Sequence, residues 1–153
     1  MIRLGLCCKF HQEPIAFRTT TATALLRLPR PEGLRKLANL VRENAASLRR
    51  ALGYCAAHGI GAFRVNSQIL PLKTHPQAGY AVEDLPQADA IVSAFQACGE
   101  TARALGIRLS FHPDQFILLS ARDEAIVAAS VRELVYQAEV AEWVNADVIN
   151  LHA

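Results

Sequence analysis

The sequence lacks the patterns that define several large classes of protein. None of its apolar runs reaches the roughly 20 residues that a membrane-spanning helix needs. The first eight residues carry one charge and no convincing cleavage region, so we expect no signal peptide and a protein of the cytoplasm. The cysteines form no Cys-x-x-Cys pair, which argues against a zinc-finger spacing or a disulfide framework. With 52% apolar residues in 153, the chain can instead bury its own core.

The four cysteines are Cys7, Cys8, Cys55 and Cys98. Adjacent residues on a strand point to opposite faces of a sheet, so Cys7 and Cys8 are poorly placed to act together. We interpret all four as reduced, mostly buried thiols, because free cysteine commonly serves as a small core residue. A metal role for Cys7 or Cys8 is the less favoured alternative.

The net charge of +2 hides an asymmetry along the chain. Residues 1–50 hold ten Lys/Arg against three Glu, a net charge of +7, whereas the remaining residues carry −5. A basic N-terminal third is what a protein that contacts a polyanion would show. Taken alone, a solvated helix face laced with salt bridges explains it better.

Three strand patterns follow helix patterns at intervals of 40 to 47 residues. We predict strands at residues 60–65, 107–111 and 147–151, and a first strand at residues 2–7. Each of the three is preceded by a residue suited to ending a helix in the left-handed conformation, namely Gly59, Gly106 and Asn145. Strands that alternate with helices predict a parallel sheet with helices outside it.

The intervening helices show the expected period. A stripe repeating every seven residues predicts the first sheet-facing surface, and residues 86–105 predict a second, alanine-rich helix. The third helix should face the sheet through Val127, Val131, Leu134, Ala138 and Ala141. Four strands with three helices are half of a (β/α)8 barrel. We therefore predict an α/β fold of the TIM-barrel family, with residues 1–153 forming the N-terminal half of one barrel domain that stops after strand 4.

Three histidines share one topological position, at or beyond the ends of predicted strands. They are His75, His112 and His152. Because parallel strands bring their carboxyl ends to one rim, these imidazoles can converge there on zinc, manganese or iron. The alternative for any single histidine is a helix cap or a core position. His58, at a helix end, is interpreted as structural, and the role of His11 stays open.

The segment after the third strand combines a histidine, a proline turn and an amide beside an aromatic ring. It reads Phe111-His112-Pro113-Asp114-Gln115-Phe116. A Gln–aromatic pair at a rim can wedge into a base stack, with the ring replacing lost stacking and the amide meeting exposed base edges. A local turn with Phe116 buried is an equally good interpretation of the residues alone.

Taken together, the motifs of this sequence resemble those of the UV damage endonucleases, and the resemblance spans essentially the whole chain. The motifs that carry it are, in order, Arg3-Leu4-Gly5, Phe63-Arg64-Val65-Asn66-Ser67 with Pro71, Thr74-His75-Pro76, Leu109 through Phe116, and Val148-Ile149-Asn150-Leu151-His152. The resemblance implies a TIM barrel that cuts damaged double-stranded DNA on the 5′ side of the lesion and leaves a 3′-hydroxyl. It also implies activation by divalent metal ions, most commonly manganese.

The resemblance also assigns roles to residues of this chain. It implies that His75, His112 and His152 are ligands in a multi-metal cluster and that Gln115 and Phe116 are inserted at the lesion. With them we expect contacts to the DNA backbone from five residues: Lys9, Arg18, Arg64, Asn66 and Lys73. Leu6 and Phe10 stand roughly where family members often carry a Tyr and an Asn of the lesion probe, so the first-loop part of that probe departs from the pattern.

The further carboxylate and histidine ligands of the family belong to later strands than this chain contains. Hard divalent ions favour oxygen ligands, so we expect this chain alone to bind metal weakly and to be inactive. Two other functions remain open from the residues. One is a metal-dependent sugar isomerase or epimerase on the same barrel. The other is a non-catalytic half-barrel whose exposed strands and apolar inner face associate with a second chain or with a copy of itself.

Overall fold

The computed structural model describes residues 2–151 and contains one parallel sheet with strand order β1-β2-β3-β4. All four strands are parallel to their neighbours, which confirms the predicted α/β organisation. They are shorter than predicted, and their bounds are Gly5–Leu6 (β1), Ala62–Arg64 (β2), Arg108–Phe111 (β3) and Val148–Ile149 (β4).

Three long helices connect the strands. Their bounds are Arg30–Ala57 (α2), Ala88–Ala104 (α3) and Glu124–Trp143 (α4), and a short helix, Ala22–Leu26 (α1), precedes them. A single 3-10 turn, Val82–Asp84, lies before α3. None of the helices within residues 2–151 has the length and apolarity that crossing a membrane requires.

The turn between each helix and the next strand depends on a left-handed residue. Gly59, Gly106 and Asn145 have φ values of 67°, 66° and 49°. Because this region favours glycine and, less strongly, asparagine, these residues reverse the chain directly after α2, α3 and α4. The predicted helix ends are therefore confirmed at all three places.

The helices cover one face of the sheet, and the buried side chains of the strands point toward them. Phe63, Leu109 and Phe111 are at most 1% exposed. They share one core with the predicted stripe of α2. Along its seven-residue period Leu34 is half-buried, and the fully buried residues of the stripe include Leu37, Val41, Leu48, Leu52 and Cys55.

The opposite face of the sheet is mixed, with polar and apolar side chains side by side. Strand alternation places Arg108 and Ser110 of β3 on it, together with Arg64 at the end of β2. The Arg108 Nε atom lies 3.3 Å from Asp147 Oδ1 in a salt bridge at the edge of this face. The apolar inner face of the half-barrel alternative is therefore only partly present. Ala62 and Val148 lie on the same side, whereas β3 contributes polar residues because they occupy every second position of that strand.

The face that α4 turns toward the protein also differs from the predicted stripe. Val131 is 45% exposed and Ala138 is exposed, whereas the other three residues of that stripe, Val127, Leu134 and Ala141, are half-buried. The buried positions are instead Ser130, Tyr136, Gln137 and Val140. The apolar period failed here because three of these four residues are polar and are buried through hydrogen bonds to backbone groups of neighbouring loops.

Candidate nucleic-acid interface

The carboxyl ends of β1, β2 and β3 lie side by side and line an open groove of about 470 Å³. We call it the rim groove and define it by six of its lining residues: Lys9, Arg64, Asn66, His112, Asp114 and Gln115. The parallel register explains why residues so distant in sequence meet, because each follows a strand whose end lies at the same edge. Five of these six residues were predicted as site residues.

The rim groove has a positive character. Among residues 2–151, neither Lys9 nor Arg64 forms a salt bridge, although the groove also contains Asp114. The neighbouring Cys8 remains a neutral thiol, because burial raises its pKa more than the nearby Arg64 lowers it. Two cations on a concave edge make a favourable site for phosphate groups.

His112 is oriented by the last strand. Its Nδ1 lies 3.1 Å from the carbonyl oxygen of Asn150, which can only accept, so Nδ1 carries the proton and donates it. The lone pair of the ring is then on Nε2. A ligating histidine usually donates its other ring N–H to a carbonyl or carboxylate, and His112 fits that pattern.

His75 has the opposite tautomer. Its Nδ1 accepts from the backbone N–H groups of Gln77 and Ala78, at 3.2 and 3.1 Å. Because neutral imidazole carries one proton, Nε2 holds it in this arrangement. His75 thus closes a local turn. To bind a metal through Nδ1, it would have to release these amide donors. To bind through Nε2, it would have to move its proton to Nδ1, which also breaks the two bonds.

The two histidines line neighbouring cavities. His75 lies in a second cavity of about 340 Å³ beside Thr19 and Thr20, and this cavity shares Asp114 with the rim groove. The third predicted ligand, His152, lies outside the described residues. Within residues 2–151, no group of three His, Cys, Asp or Glu side chains is close enough to hold a metal ion.

The segment after β3 presents its aromatic ring to solvent. Phe116 is 74% exposed, while Gln115 lines the rim groove. A local turn holds this arrangement, because the Phe116 N–H donates to Asp114 Oδ1 at 3.1 Å and the Ile117 N–H donates to the Asp114 carbonyl at 3.0 Å. The alternative of a buried Phe116 is therefore wrong.

Two of the residues predicted to contact the DNA backbone lie away from the rim groove. Lys73 Nζ is 3.7 Å from Glu139 on α4, with a side chain only 15% exposed, and lies 5.8 Å above the ring of Tyr80. Arg18 Nε is 3.8 Å from Glu43 on α2, and both side chains are exposed. Lys73 is thus largely neutralised by its partner, whereas Arg18 keeps an accessible guanidinium.

The first-loop residue Phe10 is not available for stacking on a base. It is half-buried, and its ring centroid lies 5.3 Å from that of Tyr54 and 6.3 Å from that of Phe63. This loop therefore contributes aromatic packing to the core rather than a second probe.

Sequence reasoning missed the polar residues that hold the loops around the groove. Asn44 is fully buried in α2; its side chain accepts from the Arg18 N–H and donates to the carbonyls of Arg18 and Ile69. Gln137 is fully buried in α4 and donates to the Ser67 carbonyl at 2.6 Å. The signal was present, since each interrupts an otherwise apolar helix face, and a polar residue there must find a partner.

The comparisons with known proteins agree along nearly the whole chain. The family described as UV-endonuclease UvdE matches residues 2–152. The "UV DNA damage endonuclease" of Halalkalibacterium halodurans is 32% identical over 131 residues, which cover 85% of this chain and 39% of that protein. The protein of the same name from Bacillus velezensis is 30% identical over 139 residues, covering 88% of this chain and 42% of that protein.

A solved structure shows the same fold. The crystal structure of SacUVDE superposes with a TM-score of 0.81 at 23% identity and covers 99% of this chain and 49% of that one. The chain thus spans about two fifths of the length of the curated relatives it matches and about half of the solved structure.

Proposed function

The chain belongs to the UV-endonuclease UvdE family, and we propose that it is part of a DNA-repair endonuclease that cuts the backbone on the 5′ side of UV lesions in duplex DNA. The observation that carries this proposal is the rim groove, where two cations, an amide and a suitably oriented histidine meet beside an exposed aromatic ring. We further propose that residues 1–153 belong to one TIM-barrel domain, of which β1 to β4 are the first four strands, and that the protein acts in the cytoplasm.

We propose that the DNA backbone follows the rim groove. Lys9, Arg64 and Asn66 line it and are suited to phosphate oxygens, and Arg18 offers a further exposed guanidinium. Lys73 supports this role least, because its ammonium is paired with Glu139.

Gln115 and Phe116 are proposed to probe the lesion. A damaged base pair costs less to unstack than an intact one, so a wedge that replaces lost stacking selects damaged sites. Phe116 already presents most of its surface to solvent, and Gln115 lies next to it at the groove. This geometry supports a wedge better than a pocket for a small sugar, which weakens the isomerase alternative.

Divalent metal ions, with manganese as the expected one, are proposed to bind His75, His112 and His152. The tautomer of His112 fits this role, whereas His75 must give up the amide donors at its Nδ1 atom before either ring nitrogen can coordinate. When bound, such ions would polarise phosphoryl oxygens and lower the pKa of a bound water. Three imidazoles without carboxylates are a weak set for a hard ion, so we propose that the 153-residue chain alone does not cut DNA.

The proposal is tested by binding and by cleavage. We expect Arg64→Ala to weaken binding of the chain to duplex DNA by about three- to tenfold at low salt and to reduce the salt slope by about one. Arg35→Ala is the matched control, because Arg35 is exposed on α2 and does not line the groove. Equal affinities of the two variants would contradict the groove as the DNA site. Nicking of UV-irradiated plasmid by the chain with manganese would contradict its proposed inactivity.

Self-association through the open face of the sheet is also proposed. The two edge strands, β1 and β4, offer unpaired backbone groups to a second copy. The uncovered face between them adds apolar contact area at Ala62 and Val148. Size-exclusion chromatography with light scattering should show dimers at high protein concentration, and a monomer at all concentrations would contradict the proposal.

A further inference from the structure

The loop after β3 carries an apolar tip that a helix holds in place. Phe116, Leu118 and Leu119 are 74%, 37% and 49% exposed, so three large apolar side chains face solvent beside the rim groove. A short exposed loop of this kind would ordinarily move freely, because little apolar burial restrains it.

One buried hydroxyl fixes the far side of this tip. The Leu118 N–H donates to Ser130 Oγ at 2.9 Å, across twelve residues of sequence. Ser130 lies inside α4 and is only 2% exposed. Together with the turn at Asp114, this bond holds Phe116 between two anchored points, one at each side.

The helix that carries Ser130 is itself tied to the groove. Tyr136 Oη donates to the Ser67 carbonyl at 2.9 Å and accepts from the Leu70 N–H at 3.1 Å. Ser67 is also a lining residue of the rim groove. Ser130 is therefore held at a defined height relative to the surface on which DNA is proposed to lie.

We propose that Ser130 is a positioning residue for lesion recognition: its hydroxyl holds the Leu118 amide and so presents Phe116 at a fixed height and angle above the groove. This inference rests on the proposed function. It predicts that Ser130 contributes to discrimination between damaged and intact DNA rather than to DNA affinity as such, because its hydroxyl bonds the Leu118 backbone and not a charged side chain of the groove.

The test measures the ratio of affinities for intact duplex and for duplex with one UV photoproduct, using the 153-residue chain. We expect Ser130→Ala to reduce this preference about fivefold, since the lost bond frees the loop, and to speed hydrogen exchange of the Leu118 amide. The matched control is Ser47→Ala. Ser47 is also a buried helical serine, 1% exposed, whose hydroxyl donates to a loop carbonyl, that of Ala16 at 2.7 Å.

A Phe116→Ala background separates positioning from general loosening. If Ser130 acts through Phe116, Ser130→Ala should change the preference little once the ring is gone. The inference would be overturned if Phe116→Ala abolished the preference for damaged DNA while Ser130→Ala reduced it no more than Ser47→Ala does. The proposed function would still stand in that case. Unchanged Leu118 exchange would also overturn the inference. A wild-type chain without preference for damaged DNA would overturn the lesion-probing proposal, and the role of Ser130 with it.

Discussion

Replacing Asn44 with alanine should destabilise the protein far more than an exposed replacement on the same helix. Asn44 is fully buried in α2, and its side chain forms three hydrogen bonds to backbone groups, with donor–acceptor distances of 2.6, 2.9 and 2.8 Å. They join the loop after β1, at Arg18, to the loop after β2, at Ile69. At about 1 kcal/mol of net stabilisation for each bond, the loss comes to about 3 kcal/mol.

Urea denaturation followed by circular dichroism measures this loss as a lower midpoint at unchanged slope. About 3 kcal/mol is a large part of the 5–15 kcal/mol typical of a domain, and corresponds to a fall in Tm of about 8 °C. The control is Asn39→Ala, an identical change at an exposed position of α2. It should fall within about 0.5 kcal/mol of wild type. An Asn44→Ala cost equal to that of the control would refute the reasoning that these bonds hold the two loops.

Four further predictions follow from packing and burial. A Cβ added at Gly99 would lie 2.4 Å from the Val144 carbonyl oxygen, so Gly99→Ala should lower the free energy of unfolding by about 2–3 kcal/mol. Gly53→Ala in open space on α2 should raise it by about 0.5–1 kcal/mol, and both are measured by urea denaturation. In the native protein, exposed Cys7 should react with a maleimide well before buried Cys98, as mass spectrometry of timed samples will show. Burial raises the pKa of Cys98 from 9.0 to about 11. The thiol therefore ionises at a lower pH in the unfolded chain than in the folded protein. The free energy of unfolding of wild type, relative to that of Cys98→Ala, should fall by about 2 kcal/mol between pH 9 and 11.

The sequence predicted well those features that depend on the local chain. Gly59, Gly106 and Asn145 predicted where three helices end, because few residues adopt a positive φ cheaply. The structure confirms these helix ends. The order of strands and helices also predicted that His75, His112 and His152 would converge at one rim, since topology brings parallel strand ends together. His112 lies in the rim groove and His75 in the neighbouring cavity, whereas His152 lies outside the described residues.

Features that depend on specific side-chain partners could not be predicted in the same way. No periodicity shows that Lys73 pairs with Glu139 across 66 residues, or that the Nδ1 of His75 accepts from its own turn. The predicted stripe of α4 failed for the same reason, because Gln137 is buried by a hydrogen bond that hydropathy ignores. The orientation of such a side chain depends on a directional bond to a partner that is distant in sequence. It therefore cannot be predicted from the residue and its neighbours alone.

These directional bonds have one arrangement in common: each joins a helix to a loop at the rim. Asn44 of α2 holds the loops after β1 and β2, Tyr136 and Gln137 of α4 hold the loop after β2 again, and Ser130 of α4 holds the loop after β3. Each strand that leads into these loops is only two to four residues long, so the sheet alone fixes little of their course. The geometry of the rim is therefore determined largely by buried polar groups of the helices behind it. Replacing one of them with an apolar residue should keep an amphipathic helix and a folded sheet while shifting only the loops that the lost bonds held, because the helix needs only its apolar face to pack whereas each loop needs its bond.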